Sequence, residues 1–453
     1  MNLFKRLFNR EYVTLDLNKI QGLILRSRPI PYFGINILIE VKEATKGRNL
    51  IKHLLPSVTS AEDWHIDNEG SITLCLSYKG LEALGLDKTS LDSFPKSFRQ
   101  GMAARSRYLD DEGENSPEYW QEPFKSGKIH IAVNAIASSQ EKLNKKVAEF
   151  KAKMGKPDGF KIIFEGAFSA TGEVKNSFGF RDGISNPEVE GSGIDQLPGG
   201  QEKPIKPGEF ILGYPGESGT IATYPKPDIL GKNGSFMVIR KYHSKVHLFN
   251  QYLKDNARTR EDQELLAAKM FGRWRSGAPL AICPHHDDPK LGADMERNND
   301  FKFGKDDLGY NTPLSCHIRR MNPRDTKQAV LSDVNIHRII RRSVTYGDIP
   351  GDDMLKDDGK ERGIYFIGIS AKAMDTIEFL QKEWVNTGNF INAGNEKDPI
   401  IGVHENDGHN YFTVPSKEER KRIHGVKTFN VMQGGEYLFI PSIDALTWIA
   451  NDF

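Results

Sequence analysis

The sequence predicts an α+β fold with antiparallel sheets, and three observations carry that expectation. Short runs of alternating apolar residues recur in both halves of the chain, amphipathic helical stretches follow some of them, and the spacing between them is too irregular for a parallel α/β repeat. GINILIEV from Gly34, SITLCLSY from Ser71 and IHIAVNAIA from Ile129 read as strands, the last with Ile129, Ile131, Val133 and Ala135 on one face. The segment after it, SSQEKLNKKVAEFKAKMG, sets Leu143, Val147, Phe150 and Met154 at helical spacing behind a serine cap. FKIIFEGAF from Phe160 reads as a further strand, and a polar insertion runs from Asp87 to Lys128. We take residues 1–172 as a first domain.

Between Thr171 and Gly234 glycine, proline and charge dominate, the composition of a long loop, and a long loop in a compact protein usually has a task. A second set of elements follows in residues 173–453. It comprises a strand at SFMVIRKY from Ser235, a helix from Val246 to Lys254, a strand at GIYFIGIS from Gly363, a helix in AKAMDTIEFLQKEW and a closing strand in EYLFIPS from Glu436. The two sets echo each other too weakly for an internal repeat to be read from sequence.

Composition narrows the function. The 453 residues exceed the usual size of one hydrophobic core and leave material to enclose a large cofactor. Sixty-two basic and 61 acidic residues give a formal charge of +1, which makes neither nucleic acid nor an anionic membrane the expected partner; a small molecule is. Cys75, Cys283 and Cys316 are scattered, against a disulfide framework or a thiolate zinc site and in keeping with a reducing compartment. The N-terminal MNLFKRLFNREYVTLDL has no apolar core or cleavage motif, and no window reaches the length of a membrane span, so a soluble, cytoplasmic protein is expected.

Of twelve histidines, His317 stands out, in LSCHIRRMNPRD beside Arg319, Arg320 and Arg324. Neutral imidazole binds iron, and guanidinium groups one turn away suit an anionic cofactor such as haem. Asp182 sits in GFRDGISNP, where Gly179 and Gly183 let backbone approach a ligand closely. Arg341 opens RRSVTYG, so one element brings two arginines and Ser343 to one place. Each segment also has an ordinary reading, as a basic turn, a DG loop or a solvated basic face. HHDD at His285–Asp288 and HENDGH at His404–His409 contain metal-ligand residue types but match no zinc pattern with a mechanism behind it.

Taken in order, GFRDG at Gly179, PGEFILGY at Pro207, NGSFMVIRK at Asn233, GRWRSGAPL at Gly272, HIRRMNPRD at His317, RRSVTYG at Arg341 and GGEYLFIPS at Gly434 resemble the dye-decolorizing peroxidases. IQGLIL at Ile20 and SFPKSFRQGMAARSRYLDDEG at Ser93 are similar to the longer bacterial and fungal members, so the resemblance covers nearly the whole chain. It implies two ferredoxin-like α/β sandwich domains with antiparallel sheets and a haem b (iron protoporphyrin IX) held mainly by the C-terminal one. Carried over by motif, His317 is the proximal iron ligand, Asp182 and Arg341 are the distal catalytic pair, and Ser343 is a polar distal neighbour. Arg319, Arg320, Arg324 and Gly183 are further cofactor contacts. His337 competes for the iron, but it precedes Arg341 by only four residues, and ligand and distal arginine must reach opposite haem faces.

One departure stands against the family's pattern. A haem-ligating histidine donates its second ring proton to an acceptor, often a carboxylate, and YFIGISAKAM offers Ser370, Ala371 and Lys372 where the acid belongs. Asp375, Glu378, a backbone carbonyl or a water are the replacements open to it.

The resemblance implies a peroxidase that reduces hydrogen peroxide and oxidises bulky aromatic donors such as dyes and phenols. Asp182 would shuttle the proton, with Arg341 lowering its pKa and stabilising charge on the peroxide. Part of the oxidation of bulky donors is expected at surface tyrosines or tryptophans, although Trp274, between Arg273 and Arg275, reads as buried packing with a cation–π neighbour. A non-catalytic haem carrier, removal of iron from haem and, last, a non-haem metal site on His404 and His409 are the alternatives. A homo-oligomer is compatible with all of them.

Overall fold

The computed structural model describes residues 13–64, 70–156, 158–193, 203–326, 334–351, 354–405 and 409–451. The first twelve residues, on which most of the N-terminal reading falls, lie outside them.

The four strands and the one helix expected in the first half form, with a further helix over Ala44–Leu54 that was not expected. They are β1 (Tyr32–Val41), α1 (Ala44–Leu54), β2 (Ser71–Leu76), β3 (Ile131–Ala137), α2 (Gln140–Met154) and β4 (Phe160–Ala170). Ser139 caps α2, its hydroxyl accepting from the Lys142 amide at 3.2 Å, and the helix buries Leu143, Phe150 and Met154 against the sheet. In β3 every residue is buried, where one apolar face was expected. Its polar member Asn134 lies opposite Asn36 of β1 and donates to that side chain's Oδ1 at 2.7 Å inside the fold, while the buried Nδ2 of Asn36 has no hydrogen-bond partner among the described residues.

The second half supplies β5 (Ser235–Ser244), α3 (Val246–Asn256), α4 (Arg260–Phe271), α5 (His317–Met321), β6 (Ile340–Arg341), β7 (Val344–Tyr346) and β8 (Gly363–Ser370). It continues with α6 (Ala373–Phe379), which widens into a π turn at Leu380–Val385, then the hairpin β9 (Tyr411–Pro415) and β10 (Arg420–His424), β11 (Asn430–Ile440) and α7 (Ile443–Ala450).

Every pairing between these strands is antiparallel, and the main sheet runs β4-β1-β3-β2-β11-β5-β8-β6, with β7 beside β8. Within the first half that order is fourth, first, third, second. Counting β5, β6, β8 and β11 in sequence, the second half repeats it. The repeat that the sequence is too diverged to reveal is therefore present as topology.

The halves meet where β11 pairs with β2 through Phe439 and Leu76. At the far ends β4 lies against β7, and a Cβ on Gly166 of β4 would come within 2.5 Å of the Tyr365 hydroxyl of β8, so the sheet curls towards closure. Among the described residues three ion pairs fasten the polar insertion to the second half, one of them between Glu114 and Lys245 at 2.5 Å. Arg105 meets Glu378 at 2.5 Å, and Asp111 meets Arg240 of β5 with both side chains 1% exposed. Among the described residues no helix is long and apolar enough to cross a membrane.

Candidate active site

A cavity of about 270 Å³ opens between β5 and β8 on one side and, on the others, α5, the π turn and the loop from Asn176 to Pro187. The segment expected to be functional from its length and composition thus forms one wall.

His317 begins α5, with Cys316 at the N-cap position. His317, Ile318, Met321 and Asn322 line the cavity, the face that one helical turn presents, and Arg324 follows just past the helix end. Arg319 and Arg320 point the other way, which corrects their expected role as cofactor contacts. Arg319 is fully buried, donates to the carbonyls of Asp306 at 2.9 Å and Thr312 at 2.7 Å, and lies over the Phe303 ring. Arg320, equally buried, donates to the carbonyls of Ser315, Trp384, Thr387 and Glu396. Both guanidinium groups hold backbone, Arg319 also pairing with the Asp306 carboxylate at 3.4 Å.

The imidazole of His317 has its acceptor. Its Nδ1 lies 2.9 Å from Oδ2 of Asp398, a fully buried residue that neither Asp375 nor Glu378 replaces. Asp375 accepts from Ser97, and Glu378 is taken by Arg105 and the Tyr437 hydroxyl. Burial by itself pushes the Asp398 carboxyl up, but the His317 ring, Arg320 and the Ile401 amide outweigh it and hold it below the ordinary carboxylate range. Its other oxygen accepts from the amides of Ile400 at 2.8 Å and Ile401 at 3.0 Å, so the carboxylate is aimed by its own turn. The missing acid is present 81 residues after the histidine. The only local signal is a DP dipeptide in EKDPIIG, a common turn opener.

Asp182 and Arg341 line the same cavity. The Asp182 amide donates to the Val174 carbonyl at 2.8 Å, and its Oδ1 accepts from the Gly183 amide at 2.7 Å, an arrangement that uses positive φ (79°) at Gly183. Arg341 ends the two-residue strand β6; its amide donates to Asn186 Oδ1 at 2.8 Å and its guanidinium to the Ser185 carbonyl. One loop therefore carries the carboxylate and also holds the arginine. Burial draws the Arg341 guanidinium below its usual pKa, and Asp182 opposes that while Arg338 and Arg28 add to it. Ser343 lines the cavity too, its hydroxyl accepting from the Ile367 amide at 3.2 Å.

Arg324 remains as expected at the cavity wall, lying over Phe301 at 4.0 Å and donating to Asn299 and Phe301. Arg273 approaches the same ring from 5.2 Å, and burial first, then Arg324 and Arg341, lowers its pKa to about 9. Arg28, Arg181, Arg240 and Arg338 bring the lining arginines to seven, of which Arg240 is already paired with Asp111, against the single lining carboxylate of Asp182. Such a surplus calls for an anionic occupant.

His337 also lines the cavity, with its ring stacked 4.3 Å from Phe379. His404 is buried and its Nε2 lies 2.9 Å from the Asp398 carbonyl; no group of three metal-ligating side chains forms among the described residues. Asp287 accepts from Ser276 and Asp288 caps a short helix, which gives the HHDD acids structural work. Trp274 is buried as expected, but Arg273 lies over Phe301 and Arg275 over Phe180 instead of over the indole.

Comparison with known proteins agrees along the chain. Residues 20–170 match the model of the DyP dimeric alpha+beta barrel domain, and residues 220–419 match that of the C-terminal part of Dyp-type peroxidases. A dye-decolorizing peroxidase of Mycena epipterygia is 31% identical over 96% of this chain and 87% of its own length, and one of Auricularia auricula-judae is 29% identical over 96% and 86%. Among solved structures, an ancestral D-type dye decolorizing peroxidase superposes with a TM-score of 0.82 at 30% identity, covering 96% of this chain and 99% of that one. A dye-decolorizing peroxidase in complex with 2,6-dimethoxyphenol gives 0.80 at 30% identity, covering 96% and 100%.

Proposed function

The chain belongs to the dye-decolorizing peroxidase family of haem enzymes, and from that membership we propose that its cavity holds haem b, with His317 on the iron and Asp182 and Arg341 handling hydrogen peroxide. The observation that carries this reading is the pairing of His317 and Asp182–Arg341 across one arginine-rich cavity, with the Asp398 carboxylate behind the imidazole.

The lining fits the cofactor. Nδ1 of His317 is engaged with Asp398, which leaves Nε2 to ligate a metal and fixes the orientation of the ring. A flat dianion matches the cationic surplus, and Arg324, fixed by Asn299 and Phe301, is positioned to pair with a carboxylate of the porphyrin. Bound there, haem supplies the redox-active iron at which the O–O bond of peroxide is broken.

Asp182 does the proton work. One oxygen is held by the Gly183 amide, and the carboxylate accepts the proton of the oxygen that binds and returns it to the one that departs as water. Arg341, tethered by Ser185 and Asn186, keeps its charge directed at the developing anion. Phenols and dyes are the proposed electron donors, with the 2,6-dimethoxyphenol complex of a relative as support. A soluble enzyme is consistent with the absence of a spanning helix among the described residues.

Stopped-flow absorbance of the haem-loaded protein mixed with peroxide tests the reading. Arg341→Leu is expected to slow the peroxide-dependent Soret change about 10²- to 10³-fold, at least as much as Asp182→Asn. His317→Ala should abolish the wild-type Soret band. An Arg341 variant that reacts at the wild-type rate refutes the catalytic assignment, and haem binding without peroxide turnover in the wild type identifies a carrier.

A further inference from the structure

Arg341 stands between two groups of arginines. Arg273, which is buried, and Arg324 share the Phe301 ring and the side chain of Asn299 at the cavity wall. Arg28 and Arg338 are the other pair, close enough to Arg341 to act on its charge, and both are partly exposed, as is Asp182, while Gly183 is exposed. The exposed Gly183 sets this second group beside solvent.

Arg28 reaches this place from the segment before β1. Its guanidinium lies 4.7 Å from the centre of the Tyr32 ring, and its Nη2 would be 3.8 Å from a Cβ on Gly183. Its buried Nε has no hydrogen-bond partner, and no hydrogen bond or ion pair is found for its terminal nitrogens among the described residues. A guanidinium steadied by an aromatic face and presented to a cavity mouth is organised for an oxyanion. Ile184 and Ile339 line the cavity nearby and offer an aromatic ring an apolar surface.

We propose that the cavity mouth is a binding site for the carboxylate or sulfonate of an aromatic reducing substrate, held by Arg28 beside the Asp182 loop. The inference rests on the peroxidase reading and deepens it, because it names anionic aromatics as the preferred donors. The same chemistry is carried by a haem propionate, and the test separates the two.

Syringate and its neutral methyl ester share one oxidisable ring and differ in charge. Their dissociation constants from the resting haem-loaded protein, read from absorbance difference spectra without peroxide, are compared for wild type, Arg28→Gln and Arg28→Lys. One charge-assisted contact in a partly exposed site corresponds to a preference of about tenfold for syringate. The preference should vanish in Arg28→Gln, survive in Arg28→Lys and shrink with added salt. A preference retained in Arg28→Gln overturns the proposal. Titration of the apoprotein with haemin supplies the second arm: weaker haemin binding by Arg28→Gln assigns the arginine to a propionate and also overturns it. Failure of the peroxidase reading looks different, since wild type with peroxide would then oxidise neither compound.

Discussion

A single side chain decides how well the imidazole can serve a metal, and that side chain is Asp398. Replacing it with Asn keeps the shape and removes the charge. Outer partners of metal ligands typically contribute about 10- to 100-fold to activity or affinity. Asp398→Asn is therefore expected to cut turnover by that range while haemin still binds, with a higher Fe(III)/Fe(II) midpoint potential in spectroelectrochemical titration as the accompanying sign. An unchanged potential removes the anionic role. At this scale the sequence was legible only where the motif was contiguous. His317, Asp182 and Arg341 stand in short recognisable runs, whereas Asp398 lies 81 residues from its partner in an ordinary turn. Arg319 and Arg320 were misread for a related reason. Proximity along the chain suggested a shared site, but a helix turns the side chain two positions on away from the face that His317 occupies, and Arg320, three positions on, is held by the carbonyls of Ser315, Trp384, Thr387 and Glu396.

Elements transmit these placements. The turn after the π helix owes its position to Arg320, to the Asp398 amide on the Val385 carbonyl at 2.7 Å, and to His404, whose Nε2 meets the Asp398 carbonyl. Burial lowers the pKa of His404 to about 4, the contact with Asp398 only partly opposing it, against 6.5 in an unfolded chain. As pH falls through 6.5 the unfolded state takes up a proton that the folded state refuses, so stability is lost steadily until pH 4, where the loss is complete. It amounts to at most about 3 kcal/mol. Urea midpoints measured from pH 7 to 4 should fall for the wild type and fall less for His404→Gln; equal slopes would rule the histidine out. The strands and α2 were readable because alternation and capping are local physics. The hairpin β9–β10 and the widened helix were not, since neither has a periodicity that separates it from loop or ordinary helix.

For the whole molecule the governing fact is one sheet built from two copies of a strand order. The halves are joined by β2 and β11 and by the insertion, whose Asp111 is buried against Arg240. Removing one member of a buried pair leaves the other charge uncompensated, at a cost of about 3 to 5 kcal/mol. Asp111→Ala should lower the thermal midpoint and split one unfolding transition into two as the halves part; a variant that melts at the wild-type temperature refutes that role. The repeat escaped the sequence because topology constrains the order of the strands and not their residues.

Arg320 leaves one more mark. It sits three positions after His317 and grips the carbonyl of Glu396, two before Asp398, so imidazole and acceptor are bolted together across a long stretch of chain. Within that stretch, residues can be gained or lost over evolutionary time without changing the reach between imidazole and carboxylate. The interval in sequence is free to drift, and relatives of this protein should be aligned at this point by the arginine rather than by counting.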